Sequence, residues 1–404
     1  MLSGATAAAA IANGSALPLG DSGLAFGFVE LLWREPNTLD GQESLEQSPS
    51  PLMGEGWGGG DVSARPGTTS TNNIEAAPSP PPKSSPIKGE DLPIGSIILP
   101  TAGFPAWQEN SCPPETQSHL ATLRGRLIQP LSLWAGFSLS RPLVMGIVNV
   151  TPDSFSDGGD HLDPNSAIRH GLSLLEAGAD ILDIGGESTR PGAVPVAPEI
   201  EIARVVPVIR ALASRGAVIS IDSRHPDVMA RALDAGARII NDINALQDPG
   251  ALTLAVQRKV PVVLMHMQGD PQSMQKAPRY TSPPLDIWDF LEARLNAFEM
   301  AGGSRAIALV DPGIGFGKTG AQNLEILRHL GLFRSLGTGI LLGVSRKRLI
   351  EQFGGTPAGP KQRLGGSIAL GLDGIAQGAQ VLRVHDVAET VQSVRLWQAL
   401  HQGE

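Results

Sequence analysis

The sequence predicts an α/β protein in which residues 141–404 form a (β/α)8 TIM barrel, preceded by a largely disordered, low-complexity N-terminal region. Three observations lead to this prediction. Eight short apolar runs follow residue 141, helical patterns fill the gaps between them, and polar residues lie at the end of each run. Eight parallel strands with helices between them over ~250 residues are typical of this barrel. A doubly wound open sheet is the alternative, because a sequence does not show whether the sheet closes.

The eight apolar runs are the predicted strands, and seven of them are almost continuously apolar. Strands of a parallel sheet covered on both faces show this pattern. In chain order the runs are LVMGIVNV from 143, ILDIGG from 181, VISIDS from 218, RIINDI from 238, VVLMHM from 262, IALVDPG from 307, LLGVS from 341 and QVLRVHDV from 380.

Glycines mark the ends of several helices between these runs. The segments EAGADILDIGG, DAGARIINDI and AQGAQVLRVHD share a helix end, a glycine and then a strand. Glycine at this point suits the left-handed conformation that stops a helix. Repeated helix-to-strand units of this kind predict a parallel sheet.

The first 140 residues differ in composition from the barrel. Residues 1–35 are Ala-rich, and the sequence does not decide whether they form a short helix or dock on the main domain. Residues 36–100 contain 29 Gly, Pro or Ser in 65 positions. Such a segment buries too little apolar surface to offset its chain entropy, so disorder is predicted. Residues 101–140 form a lead-in of mixed character.

Charge and cysteine content narrow the class of protein. The net charge of −9 argues against a nucleic-acid partner. Most of this charge lies in residues 1–140, which hold 6 Lys and Arg against 13 Asp and Glu, so the barrel would not repel an anionic substrate. A single cysteine, Cys112, fits a reducing compartment. A cytoplasmic protein without a membrane partner is expected. No run of ~20 apolar residues occurs, as a membrane span would need. A secretory signal begins with basic residues, and none precedes Arg34.

The ends of the predicted strands carry the polar residues. One such residue usually caps a strand end, but eight in register on one rim of a barrel predict an active site. These residues are Asn149, Asp183, Asp222, Asn241 with Asp242, His266, Asp311, Ser345 to Lys347, and Arg383 with His385 and Asp386.

Asp222, Asn241 and Asp311 form a first predicted group. Carboxylates accept from N–H donors, and an amide both donates and accepts, so the three suit a flat heterocycle with several N–H groups and a carbonyl. For any one of them, helix capping or a structural hydrogen bond is the alternative.

Asn149, Arg383 and His385 form a second predicted group, with Arg190 in a nearby loop. Cations and an amide suit a phosphate ester or pyrophosphate whose charge a metal shares. The alternative for Arg383 and His385 is an ion pair with Asp386 or Glu389. Lys347 could join the two groups as a point charge.

The segment DPGIGFGK, residues 311–318, contains G-x-G-x-G, which matches neither the dinucleotide fingerprint nor the P-loop. We interpret it as a tight turn that brings Phe316 close to a flat ligand, although Phe316 could equally be a core residue.

The stretch 143–391 resembles the dihydropteroate synthase family. The resemblance runs through MGIVNVTPDSFSDGG, DIGGESTRPGA, SIDSRHPDVMARAL, INDINAL, LMHMQGDPQSMQ, DPGIGFGK, GVSRK and RVHDVAET. It implies an enzyme that joins a dihydropterin pyrophosphate to 4-aminobenzoate and releases pyrophosphate. It also implies inhibition by sulfonamides, which mimic the aromatic acid, and a homodimer by family analogy.

The resemblance also implies roles for individual residues. Asp222, Asn241, Asp311 and Lys347 would hold the pterin, with Phe316 and Met265 lining its pocket. Asn149 would bind Mg²⁺, and Arg383 and His385 would bind the leaving pyrophosphate. The aminobenzoate would be surrounded by Phe155, Thr189, Arg190, Pro191 and Ser345. Residues expected to take part in catalysis are Asn149, Asp222, Lys347, Arg383 and His385.

The segment NVTPDSFSDGG, residues 149–159, is then expected to be a mobile loop that closes over the site and excludes water. Phe155 would contact the aromatic substrate, and Asp157 would join the metal when the loop closes. Two alternatives stay open. One is a methyltransferase that holds a methylated folate on the same barrel, and the other is a pterin-binding homologue without turnover.

Overall fold

The computed structural model describes residues 114–131, 133–151, 164–189, 192–355 and 359–401, together with five short strands nearer the N-terminus. Three of these strands, Leu2–Ser3, Leu17–Pro18 and Leu24–Phe26, form a small antiparallel sheet. The other two, Phe28–Arg34 and Ile94–Pro100, pair with each other in antiparallel register. Residues 94–100 thus form a strand where the sequence predicts disorder. The rest of that predicted segment, and Cys112, lie outside the described residues.

Eight parallel strands close into a barrel, as predicted. The closing pair is the last strand with the first, in the register Val381↔Leu143 to Val384↔Gly146, which rules out the open sheet. The strands β1 to β8 are Leu143–Asn149, Ile181–Gly185, Ile219–Asp222, Ile239–Asp242, Val262–Met265, Ala308–Asp311, Gly339–Leu342 and Val381–Val384. The seventh begins two residues before its predicted apolar run, at Gly339.

Helices connect the strands on the outside of the barrel. Helices α1 to α9 are Pro164–Glu176, Pro198–Ala213, Pro226–Ala235, Pro249–Arg258, Pro283–Met300, Gly320–Arg328, Arg348–Phe353, Leu364–Ala376 and Val387–His401. The first five begin with proline, whose missing N–H is not needed in the first turn of a helix. The glycines predicted to stop helices, Gly178, Gly236 and Gly378, have φ of 97°, 116° and 100°. These values confirm the left-handed termination.

The floor of the barrel is apolar and is closed by part of the lead-in. Trp134 is completely buried among inward side chains of the strands, and its indole N–H donates to the Ile307 carbonyl at 3.1 Å. The side chains it joins are Leu139, Leu143, Met145, Ile181, Ile239, Val263, Leu309, Leu341 and Val381. The packed barrel therefore begins before residue 141. Among the described residues, no helix has the length and apolarity to cross a membrane.

Candidate active site

The inner face of the barrel changes from apolar to polar two residues above its floor. Alternate residues of a strand point to the same side, so the residue two positions after each floor side chain is also inward. These second positions include Asp183, Asn241, Met265, Asp311 and Arg383, and Asp222 follows at the end of β3. The corresponding position beside β7 is Gly343, directly after the end of that strand, and it leaves space beside Asp311. Strand periodicity thus gathers the predicted polar groups in one layer.

Arg383 lies at the centre of this layer. Its Nε donates to Asp183 Oδ2 at 2.6 Å, and its Nη2 donates to Asp222 Oδ2 at 2.6 Å. Asp183 Oδ2 also accepts from Asn241 Nδ2 at 3.1 Å. Arg383 belongs to the group predicted to bind phosphate, and it contacts Asp222 of the group predicted to bind the heterocycle. The two predicted groups therefore form one network.

Burial dominates the electrostatics of this network. Desolvation raises the pKa of Asp222 to about 7, although the Arg383 guanidinium opposes the rise. Desolvation also raises the pKa of Asp311, against the bond it accepts from Gly313 N at 2.7 Å. The pKa of Arg383 is raised further above its usual value, because the two aspartates outweigh desolvation. A ligand that donates N–H bonds would favour the ionised form of each carboxyl.

One wall of the pocket is apolar, and the ammonium group of Lys347 lies against it. Met265 and Phe316 belong to one cluster, and its other members are Ile243, Met267 and Met274. The ammonium group of Lys347 lies 4.2 Å from the centroid of the Phe316 ring. Burial lowers the pKa of Lys347 to about 8, partly offset by Asp311. A flat ligand between this wall and the aspartates would have an aromatic face on one side and hydrogen-bond acceptors at its edge.

Lys318 stabilises the glycine turn of residues 313–317 through hydrogen bonds to its carbonyl groups. This lysine was not singled out in the sequence analysis. Its Nζ donates to the carbonyls of Gly313 at 2.8 Å and Phe316 at 2.9 Å, and lies 3.0 Å from His266 Nδ1. Gly313 itself has φ of 69°, and a Cβ there would stand 1.9 Å from the His266 carbonyl oxygen. The sequence feature that could have pointed to this role is a lysine directly after three alternating glycines. His266 is therefore structural: burial lowers its pKa to about 2, which makes it a neutral acceptor.

Replacing Lys318 with methionine is expected to lower the free energy of unfolding by about 2–4 kcal/mol, because two buried carbonyls lose their donor. The turn should also loosen, so affinity for a flat heterocyclic ligand should fall more than tenfold. Urea unfolding and ligand titration measure the two effects. The matched control is Lys276→Met, since Lys276 is exposed. Equal stability of the two variants would contradict the assignment.

His385 and Ser345 meet at the ends of β8 and β7. Ser345 Oγ lies 3.1 Å from His385 Nδ1 and accepts from the His385 backbone N–H at 3.2 Å. Burial, with Arg383 and Arg346 nearby, lowers the pKa of His385 to about 3. In the free protein it is thus a neutral imidazole and not the predicted cation.

The alternative ion pair for Arg383 and His385 is wrong. Asp386 pairs instead with Arg346, whose Nε donates to it at 3.0 Å. This pair holds Arg346 in a left-handed conformation, with φ of 58°, directly before Lys347. The pair therefore shapes the turn that presents Lys347 to the pocket.

Two further predicted residues, Asn149 and Thr189, lie at the mouth of the barrel. Asn149 is half-buried at the end of β1, beside Gly185 of β2, and Thr189 is half-buried in the loop after β2. Phe155, Asp157, Arg190 and Pro191 lie outside the described residues.

A charged cluster that the sequence analysis missed supports the loop after β2. Arg224 donates to both carboxylate oxygens of Glu187, at 3.0 and 3.1 Å, and Glu187 Oε1 also accepts from Val196 N at 3.1 Å. Glu201 and His225 complete the cluster, with ligand atoms within 4.8 Å of one another. Burial raises the pKa of Glu201 to about 7. Both oxygens of Glu187 already accept from Arg224, so they are not available to bind a metal ion. A proton shared within the cluster balances its negative charge more simply.

Comparison with known proteins finds chains similar to residues of the barrel. The family described as pterin binding enzyme matches residues 145–385. The dihydropteroate synthase of Escherichia coli (strain K12) is 46% identical over 262 residues, which are 65% of this chain and 92% of that protein. The solved Xanthomonas albilineans dihydropteroate synthase with 4-aminobenzoic acid is 50% identical, with a TM-score of 0.62 over 66% of this chain and 96% of that one. A structure of that enzyme with 7,8-dihydropteroate is 47% identical, with a TM-score of 0.60 over 65% of this chain and 95% of that one.

Proposed function

Because the chain belongs to the pterin binding enzyme family and is a dihydropteroate synthase, a transferase of folate biosynthesis, we propose how its own residues divide the reaction. The enzyme joins 6-hydroxymethyl-7,8-dihydropterin pyrophosphate to 4-aminobenzoate and gives 7,8-dihydropteroate and pyrophosphate. The observation that carries the proposal is the single network in which Arg383 contacts Asp222, while Asp311 and Lys347 face the same pocket.

The pterin ring occupies the polar layer. Asp222 and Asp311 accept its N–H groups, and the carbonyl oxygen of Asn241 accepts a further bond at the ring edge. Met265 and Phe316 cover one face of the ring, and the ammonium group of Lys347, which lies over the Phe316 ring, reaches a carbonyl oxygen or nitrogen of the pterin. Burial in this layer excludes water, which strengthens each of these bonds.

The leaving pyrophosphate lies above Arg383 and His385. Two N–H groups of the Arg383 guanidinium bind Asp183 and Asp222, and within the described chain the other three make no hydrogen bond. They are free to bind phosphate oxygens. Neutral His385 donates one further bond from a ring N–H. As negative charge grows on the departing oxygen, these donors stabilise it more than they stabilise the substrate.

Mg²⁺ is proposed at Asn149. Mg²⁺ keeps several waters and takes few protein oxygens when substrate phosphates are present. One half-buried amide whose side chain binds no described residue fits that donor set. The ion would share the charge of the pyrophosphate and polarise it for departure. Asp157 is proposed to join it when the loop 149–159 closes.

The aminobenzoate is proposed to lie between the two mouth loops, surrounded by Phe155, Thr189, Arg190, Pro191 and Ser345. Its neutral amine forms the new C–N bond with the pterin methylene carbon, while the electron pair of the breaking C–O bond leaves with pyrophosphate. The carboxylate of Asp222 stabilises the positive charge that develops on the ring. The proton of the new secondary amine passes to solvent or to pyrophosphate.

A reconstitution assay tests this division. The purified chain should release pyrophosphate and form dihydropteroate only with Mg²⁺, the pterin pyrophosphate and 4-aminobenzoate together. Sulfonamides should inhibit in competition with 4-aminobenzoate. Pterin binding without turnover would instead support a non-catalytic homologue, and turnover with Mg²⁺ removed by a chelator would overturn the metal proposal.

Arg224→Met tests the support of the loop after β2. Losing the bidentate pair with Glu187 should let the loop move, so KM for 4-aminobenzoate should rise about tenfold while pterin affinity stays the same. Steady-state kinetics and calorimetric titration separate the two substrates. Arg210→Met, at an exposed position of α2, is the matched control. A rise confined to the KM of the pterin substrate would contradict this role.

By analogy with the family, we further propose that the protein acts as a cytoplasmic homodimer. Light scattering on the purified chain gives the oligomeric state directly. A monomer that is fully active would remove the dimer from the proposal.

A further inference from the structure

Asp183 is a buried acid that the proposed reaction does not use. It lies in the middle of β2, and none of its surface is exposed, so it does not face a bound substrate. Its Oδ2 atom accepts from Arg383 Nε at 2.6 Å and from Asn241 Nδ2 at 3.1 Å. A single oxygen of this carboxylate therefore holds two side chains of the pocket.

The bond to Arg383 sets the direction of its guanidinium. The group is planar, so a bond at Nε fixes the plane, and the bond from Nη2 to Asp222 fixes its rotation. The remaining N–H groups then point in one direction only. The side chain of Arg383 is 22% exposed, so these N–H groups open towards the pocket.

The bond to Asn241 decides which end of its amide faces the pocket. A carboxylate only accepts hydrogen bonds, so the NH2 end of Asn241 must point at Asp183. The carbonyl oxygen of Asn241 is therefore directed away from Asp183. A ligand meets an acceptor at this position, as a pterin amine requires.

We propose that Asp183 is a positioning residue of the synthase reaction: it holds Arg383 and Asn241 in the one arrangement that binds the pterin pyrophosphate. This inference rests on the proposed roles of Arg383 and Asn241. It goes beyond a stabilising ion pair, because the same oxygen orients a donor for the leaving group and an acceptor for the ring.

Two substitutions in the full-length protein separate positioning from stability. Asp183→Ala removes both bonds, and kcat/KM for the pterin substrate should fall about 100-fold per folded molecule, the loss expected for a small misplacement. Asp183→Asn keeps an acceptor oxygen for Arg383 and Asn241, so it should recover to within about tenfold of the native enzyme. KM for 4-aminobenzoate should stay the same in both.

The pH profile gives a readout that a structural role would not move. The negative charge of Asp183 contributes to the raised pKa of Asp222. In Asp183→Asn that charge is gone, so the acidic limb of kcat/KM for the pterin should move to lower pH. This readout remains even where Asp183→Ala fails to fold.

Thr338→Val is the matched control, because Thr338 is also almost fully buried but lies directly before β7, at the floor end of the barrel and away from the polar layer. It should change none of these values. Equal loss in Asp183→Ala and Asp183→Asn with an unmoved pH profile, or loss explained by the unfolded fraction alone, would overturn the inference. A native enzyme without turnover would instead overturn the proposed function, so the two failures are distinct.

Discussion

Arg383→Met is expected to reduce kcat/KM by at least three orders of magnitude and to destabilise the fold. The guanidinium is the cation between Asp183 and Asp222, at 2.6 Å from each. Breaking a buried ion pair from one side costs about 3–5 kcal/mol, because the remaining charge is left unpaired. On the proposed role of Arg383, the leaving pyrophosphate would also lose a charged donor, which adds a loss of transition-state stabilisation.

The two losses can be separated by a second substitution. Arg383→Met combined with Asp183→Asn removes one of the unpaired charges, so part of the stability should return while activity stays lost. Chemical unfolding and steady-state kinetics measure the two effects. Arg258→Met is the control, since its pair with Asp234 lies half-exposed on the surface and such pairs contribute little. Recovery of activity in the double variant would show that Arg383 serves only to balance charge.

Asp222→Asn is expected to lower kcat/KM by about 100-fold without lowering stability. The amide keeps the shape of the side chain but loses the charge that is proposed to accept pterin N–H donors. Hydrogen bonds to charged groups contribute about 1.5–3 kcal/mol. The cost of burying the carboxylate also disappears, and Arg383 keeps its bond to Asp183. A folded but inactive variant would show that the carboxylate serves function at the expense of stability.

The stability difference between Asp222→Asn and the native protein should depend on pH in a definite direction. The pKa of Asp222 rises from 3.8 in the unfolded chain to about 7 in the folded one. Between these values the folded state binds the proton more strongly, so the contribution of Asp222 to stability falls as pH rises from about 4 to 7. Asparagine at this position has no ionisable group, so it makes no such pH-dependent contribution. The stability of Asp222→Asn relative to the native protein should therefore be greater at pH 8 than at pH 4, and the opposite order would contradict the prediction.

The positions of the polar residues were predicted better than the contacts between them. Asp222, Asn241, Asp311 and Arg383 were singled out because each lies at the end of a predicted strand, and strand periodicity places them on the inner face. The neutral state of His385 and the buried position of Lys318 were not predicted, because both depend on which other groups lie nearby and on how much water is excluded. Asp183 was noted at a strand end, but its role as the shared acceptor was not.

By itself the sequence determined the order of strands and helices, the left-handed helix ends and the alternation that turns polar residues inward, since each of these depends on neighbours a few positions away. Only the tertiary structure decided that the sheet closes, that Trp134 seals its floor and that Arg383 binds two aspartates at once. Arg383 and Asp183 are separated by 200 positions in the chain. Such contacts depend on closure of the sheet and on the resulting loss of solvent, which no local pattern in the sequence encodes.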